Sequence, residues 1–217
     1  PVVYSVDRAR DGGSFTTRRV VAIQHGKQIL NLSASFHVED EGWDHQHPMP
    51  KIAGPEAHET RETVRDRYLD RIPEKARAEF LRERPIEIRE VDPQDLFEPK
   101  PREDAHHMWL RMAAAAGSDP KMQHILLAYA SDMALLSSGL RPHGLSWFTR
   151  QVNGASLDHT MWFHAPIQFE NWHLYAMDSP WTGRGRSFNR GSIYTSDGQL
   201  VASVAQEGLM RPLKPRS

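Results

Sequence analysis

The chain has 217 residues, 39% of them apolar, enough for one large domain or two small ones with a real core. Its 27 Lys and Arg nearly cancel 28 Asp and Glu, which excludes a net basic field for nucleic acid or an anionic membrane, and no window approaches the roughly 18 apolar residues of a membrane span. The absence of cysteine excludes disulfides, thiolate metal sites and a cysteine nucleophile, and it suits a reducing compartment, with the cytosol as the expectation.

Residues 1–38 read as a meander of antiparallel strands, Val2 to Arg8, Ser14 to Gln24 and Gln28 to Val38. The joints Asp11-Gly12-Gly13 and His25-Gly26-Lys27 carry glycine, which tolerates the positive φ of tight hairpins. Strand alternation already begins at Pro1-Val-Val-Tyr-Ser-Val6 without any lead-in, so the chain is expected to be processed or to be a fragment. Residues 39–104 are dense in charge and proline, with a helical stretch from about Pro55 to Arg82, and are predicted to form a linker with surface helices. His45 and His47 fall in this region, but two histidines without a third ligand do not make a metal site, and solvated loop histidines are the expected reading.

From residue 105 the pattern predicts a second domain. His106 to Ala113 reads as a strand, and Ser118-Asp119-Pro120 supplies a cap and a first-turn proline for a helix. The helix then runs Ile125-Leu-Leu-Ala-Tyr-Ala-Ser-Asp-Met-Ala-Leu-Leu136, apolar on nearly every face, which predicts burial on all sides. Four strands follow: Ser156 to His164, His173 to Trp181, Arg184 to Thr195 and Gln199 to Arg211, the last two joined by Asp197-Gly198. A buried helix followed by an antiparallel meander predicts an α+β fold in which a sheet curls around a helix, the hot-dog arrangement. Phe15 to Ser35 also aligns with Phe188 to Gln206, so the two halves read as copies. Only the second copy carries its helix in this chain, and the first is expected to be incomplete.

Asp132 is the only acidic or basic side chain, histidine aside, between Lys121 and Arg141, and it shares a helical stripe with Ile125, Tyr129 and Leu136. A carboxylate on such a stripe must be paired, hydrogen-bonded or neutralised, and such positions are common in active sites; a structural Asp tying down backbone is the alternative. Gln206 is expected to face the core with Val204 and Leu200, where its amide could hold a water or simply bond to backbone. Ser156 has no Gly-x-Ser-x-Gly elbow, so a covalent serine hydrolase is not indicated. Asp158 and His159 are strand neighbours that point to opposite faces, and both are read as structural. Arg184, Arg186 and Arg190 cluster with Gly183 and Gly185, either as a phosphate-binding group or as charges protecting an edge strand.

Three stretches in order, Leu127-Ala-Tyr-Ala-Ser-Asp132, Leu157-Asp-His-Thr-Met-Trp-Phe-His164 and Asp197-Gly-Gln-Leu-Val-Ala-Ser-Val-Ala-Gln-Glu-Gly-Leu-Met-Arg211, resemble the acyl-CoA thioesterase II family. Arg10 to Arg19 and Ala34-Ser-Phe36 extend the resemblance into the first half. It implies a double hot-dog enzyme that hydrolyses fatty acyl-CoA to free acid and CoA without a metal or other cofactor. The family's Asp, its Thr or Ser ahead of the Asp-His motif and its Gln carry over to Asp132, Ser156 and Gln206, with Ser here where many relatives have Thr. Water would attack directly, Asp132 taking its proton, with oxyanion donors that include backbone N–H near the helix start. Acyl-CoA is the implied partner, and exposed sheet edges favour a homo-oligomer. Two other readings stay open: a hot-dog enoyl-CoA hydratase pairing Asp132 with His124, which lies about 80° around the helix, and a non-catalytic acyl-CoA binding module.

Overall fold

The computed structural model describes residues 1–113, 119–149 and 151–213, which form two compact units, Pro1–His45 and Gln46–Ser217. In the smaller unit β1 (Val3–Asp11), β2 (Phe15–Gln24) and β3 (Lys27–His37) make an antiparallel sheet in the order β1-β2-β3. The β2–β3 turn places His25 and Gly26 at φ 51° and 72°, the two positive values that match a two-residue hairpin to the twist of its strands. Val3, Val6, Ile29, Leu32 and Phe36 all remain exposed on this sheet.

The larger unit holds α1 (Arg61–Tyr68), α2 (Glu74–Leu81), α3 (Pro120–Ser131) and a second antiparallel sheet. Its strands are β4 (Ile86–Glu90), β5 (His106–Met112), β6 (Val152–Ser156), β7 (Thr160–Phe163), β8 (His173–Gly183), β9 (Arg186–Thr195) and β10 (Leu200–Pro212). They run in the order β4-β5-β8-β9-β10-β6, and β7 joins β10 beyond the end of β6. Leu127 and Ala130 of α3 enter one core with Ile86, Met108, Leu110, Tyr175, Ile193 and Val204, drawn from five strands. Complete burial of a residue such as Leu127 contributes about 1.5–3 kcal/mol. On the opposite face Trp109, Leu174 and Tyr194 are covered by Met49 and Ile52. Among the described residues no helix is long and apolar enough to cross a membrane.

The stretch read from sequence as a linker contributes to this unit at both ends. Gln46 clamps the β9–β10 turn, donating to Gly198 O at 2.7 Å and accepting from Leu200 N at 2.9 Å, and Trp109 Nε1 donates to Ala53 O at 2.9 Å. At its other end Ile86 and Ile88 face the core, while Glu87 and Arg89 form ion pairs with Arg111 and Glu56. Those outward charges gave β4 the composition of a linker.

The helix also differs from its expected limits. Asp119 accepts from Lys121 N at 3.0 Å and Pro120 occupies the first turn, whereas the proposed cap at Ser118 lies outside the described residues. The helix stops at Ser131, five residues before Leu136, because Ala134 turns left-handed at φ 66° and starts the 3₁₀ segment Leu135–His143. Nor is it buried on all sides. Gln123, Leu127, Ala130 and Ser131 face inward, but Met122, Ile125 and Tyr129 are open.

Candidate active site

The helix end, β6 and β10 bring three side chains together. Gln206 Nε2 donates to Asp132 Oδ1 at 2.5 Å and lies 3.1 Å from Ser156 Oγ, whose hydroxyl donates to the same Asp132 oxygen at 3.3 Å. Asp132 is the residue just past α3, and its side chain is 57% exposed, so the expectation of a carboxylate inside a buried stripe is corrected. It stands at the rim of a cleft of about 310 Å³, lined also by Ala134, Leu136, Trp147 and Ser156. A larger cleft of about 690 Å³, around Trp172 and His173, includes none of the three.

Gln206 is fully buried on the face of β10 that carries Val204 and Met210. Leu200 does not share it, because a bulge between Leu200 and Ala202 shifts the register and sends Leu200 to the Trp109 side. Gly208, next on the Gln206 face, leaves room for the 3₁₀ segment, since a Cβ there would lie 2.2 Å from Leu136 Cδ1. On β9, Gly191 likewise admits the ring of Tyr175, whose hydroxyl donates to Ser131 O at 2.8 Å and anchors the end of α3. Burial pushes the Tyr175 phenol well above its usual range, so it is a permanently neutral donor.

A fourth residue, His159, belongs to the same cluster. Its Nδ1 lies 3.2 Å from Gln206 Nε2 and 3.8 Å from Asp132 Oδ1, and its Nε2 lies 2.8 Å from Ser131 Oγ. Expected as a structural residue packing or bonding at the helix and sheet rim, it bonds there beside Gln206 and Asp132. On a regular strand Ser156 and His159, three apart, would face opposite sides. Here Ser156 pairs with Gly208 and Thr160 with Ala205, so four steps on one side span three on the other. The extra residue turns Ser156 and His159 to one side. Asp158 pins the bulge by accepting from Glu207 N at 2.7 Å, a structural role. Burial lowers the His159 pKa below its ordinary 6.5, against the attraction of Asp132 and Asp158, and so favours a neutral ring. The signal available in sequence was only the proximity of His159 to Ser156.

The remaining candidates lie elsewhere. Arg184 occupies the β8–β9 turn at φ 50°, Arg186 pairs with Glu207 at 2.9 Å and Arg190 with Asp178 at 2.5 Å. His124 is engaged by Pro120 O at 2.6 Å and packs edge-on against Phe163, so it makes no pair with Asp132. The start of α3 is twelve residues from Asp132, about 18 Å along the axis. The helix start beside the site is that of the 3₁₀ segment, where Ala134 and Leu136 line the cleft.

Comparison with known proteins identifies the family. Residues 75–209 match the family profile described as acyl-CoA thioesterase. The chain is 39% identical over 224 residues to acyl-coenzyme A thioesterase 8 of Homo sapiens, with 100% of this chain and 69% of that protein covered. It superimposes on the crystal structure of an acyl-CoA thioesterase II, TesB2, from Mycobacterium marinum with a TM-score of 0.77 at 35% identity, covering 98% of this chain and 75% of that one. A conserved protein of unknown function with a hot-dog fold from Alicyclobacillus acidocaldarius superimposes with a TM-score of 0.70 at 17% identity, covering 99% and 74%, which establishes the fold alone. With its antiparallel sheets and helices, the chain has the α+β hot-dog thioesterase fold and belongs to the acyl-CoA thioesterase family.

Proposed function

We propose that the chain, an acyl-CoA thioester hydrolase by family, cleaves its substrate by direct attack of a water held by Asp132, Ser156 and Gln206. The observation that carries this reading is the hydrogen-bond pattern at the carboxylate: Gln206 and Ser156 both donate to Oδ1, which leaves Oδ2 of a largely exposed side chain to take a proton from water. The water oxygen bonds to the thioester carbon while its proton passes to Asp132. Collapse of the tetrahedral intermediate breaks the C–S bond, and the departing thiolate is reprotonated by the acid form of Asp132 or by solvent. A thiol with a pKa of about 8.5 is a good leaving group, so strong acid assistance is unnecessary. Backbone N–H groups of Leu135 and Leu136, at the start of the 3₁₀ segment, are the proposed donors to the oxyanion.

Arg184, Arg186 and Arg190 are the proposed contacts for the phosphates of CoA. Arg186 and Arg190 would exchange a carboxylate for a phosphate, whereas Arg184 could bind without doing so. We read β1–β3 as part of a first hot-dog copy, since they repeat the meander of β8–β10, and 105–217 as the second, with the intervening residues 39–104 lending β4 to the sheet of the second copy. The first copy has no helix of its own among the described residues. Open apolar side chains on α3 and β7, including Ile125, Tyr129, Trp162 and Phe163, support a homo-oligomer, because exposed apolar surface of this kind favours association. The cysteine-free composition supports a cytoplasmic setting.

The test is release of free thiol from a series of acyl-CoA chain lengths. Turnover that is abolished in Asp132→Asn supports the reading, whereas hydration of enoyl-CoA or binding without thiol release overturns it.

A further inference from the structure

We infer that His159 is a positioning residue of this site, held as the neutral Nε2–H tautomer so that its bare Nδ1 accepts an N–H of Gln206 and keeps that amide aimed at Asp132. The inference rests on the site described under the proposed function, and it follows from donor and acceptor bookkeeping. A carboxylate oxygen only accepts, so the Gln206 atom 2.5 Å from Asp132 Oδ1 must be its NH₂. That NH₂ only donates, so His159 Nδ1, 3.2 Å away, must be the unprotonated nitrogen. A neutral ring then carries its proton on Nε2, which donates to Ser131 Oγ at 2.8 Å. The Ser131 hydroxyl spends its own proton on Ala128 O at 2.8 Å. Of the two N–H bonds of Gln206, one goes to Asp132 Oδ1 and the other is shared between His159 Nδ1 and Ser156 Oγ, 3.1 Å away.

Each link is also fixed by the fold. Asp132 N–H turns to Ala130 O at the end of α3, and Ser131 supplies the proton for Ala128 O. Tyr175 holds the Ser131 carbonyl from β8, and the bulge held by Asp158 presents the imidazole from the other side. The charged or titratable groups facing the ring are Asp132, which follows α3, and Asp158 from its own segment, with neutral Tyr175 behind Ser131. Both carboxylates favour the protonated ring, and desolvation outweighs them. Protonation would set Nδ1–H against the Gln206 N–H and draw Asp132 Oδ1, 3.8 Å away, into an ion pair. Either event removes the amide from its position and occupies the proposed base.

The experiment compares His159→Ala, His159→Asn and Ser131→Ala with the parent chain, using thiol release from an acyl-CoA and ¹⁵N histidine spectra. Asparagine offers an acceptor near the place of Nδ1 and does not titrate. His159→Ala should lower kcat about 10- to 100-fold, the scale of a misplaced catalytic group, with KM within about twofold. His159→Asn should recover kcat to within about threefold and move the acid limb of the kcat profile to lower pH. The parent spectrum should show a protonated Nε2 and a bare Nδ1 for His159, and Ser131→Ala should mix the tautomers. The inference is overturned by an alanine variant with parental kcat, by an asparagine variant no better than alanine, or by a ring protonated on Nδ1. A parent chain that releases no thiol overturns the thioesterase mechanism instead, and the tautomer spectrum still decides the role of His159.

Discussion

Replacing Asp132 by Asn is expected to separate catalysis from stability. The carboxylate lies at the negative end of α3, where removal of its charge gains about 0.3–1 kcal/mol. Against that, the bonds from Gln206 and Ser156 lose their charge assistance, worth roughly 1 kcal/mol each and less here because the side chain is 57% exposed. The two effects nearly offset, and the urea midpoint should correspond to a change within about 1 kcal/mol. Catalysis should respond very differently. A general base contributes about 10²- to 10⁴-fold, or roughly 2.7–5.5 kcal/mol of barrier. Thiol release from one acyl-CoA, followed with a chromogenic disulfide, measures kcat, and Asp132→Ala serves as a control that cannot deamidate back to Asp. A folded Asn variant that keeps more than about a tenth of parental kcat would refute the assignment of Asp132 as base.

Three further outcomes follow from the packing around the site. Gly191→Ala would place a Cβ 2.2 Å from Tyr175 Cε2, so the ring must move and its bond to Ser131 O must break; a loss of about 1–3 kcal/mol in urea unfolding is expected. Ala134→Gly removes the strain of a left-handed alanine at φ 66° and should leave stability unchanged or raise it by up to about 1 kcal/mol, read from the same midpoint. Burial lowers the pKa of His107, His159 and His173 from 6.5, so the unfolded chain binds protons that the folded chain does not. Stability should therefore fall as pH drops through and below 6.5, and a melting temperature that is level between pH 7.5 and 5.5 would contradict the burial of these rings.

The sequence by itself determined the local pieces. Alternation and glycine-bearing turns marked the strands of both meanders, and Asp119-Pro120 marked the start of α3. These features depend on steric preferences within a few residues, which periodicity records. Tertiary structure decided the rest, because it depended on groups distant in the chain. Two bulges against β10 decided faces that strict alternation misassigns, moving Leu200 to the outer side and turning His159 beside Ser156. The end of α3 came from a left-handed alanine, a geometry that a glycine would have announced and alanine does not. β4 became a strand because β5 supplied its backbone partners and Arg111 paired with Glu87, while Glu56 took Arg89. Asp132, placed by its apolar neighbours in a buried helix, is instead an open carboxylate whose position comes from Gln206 and Ser156, more than twenty residues away in the chain.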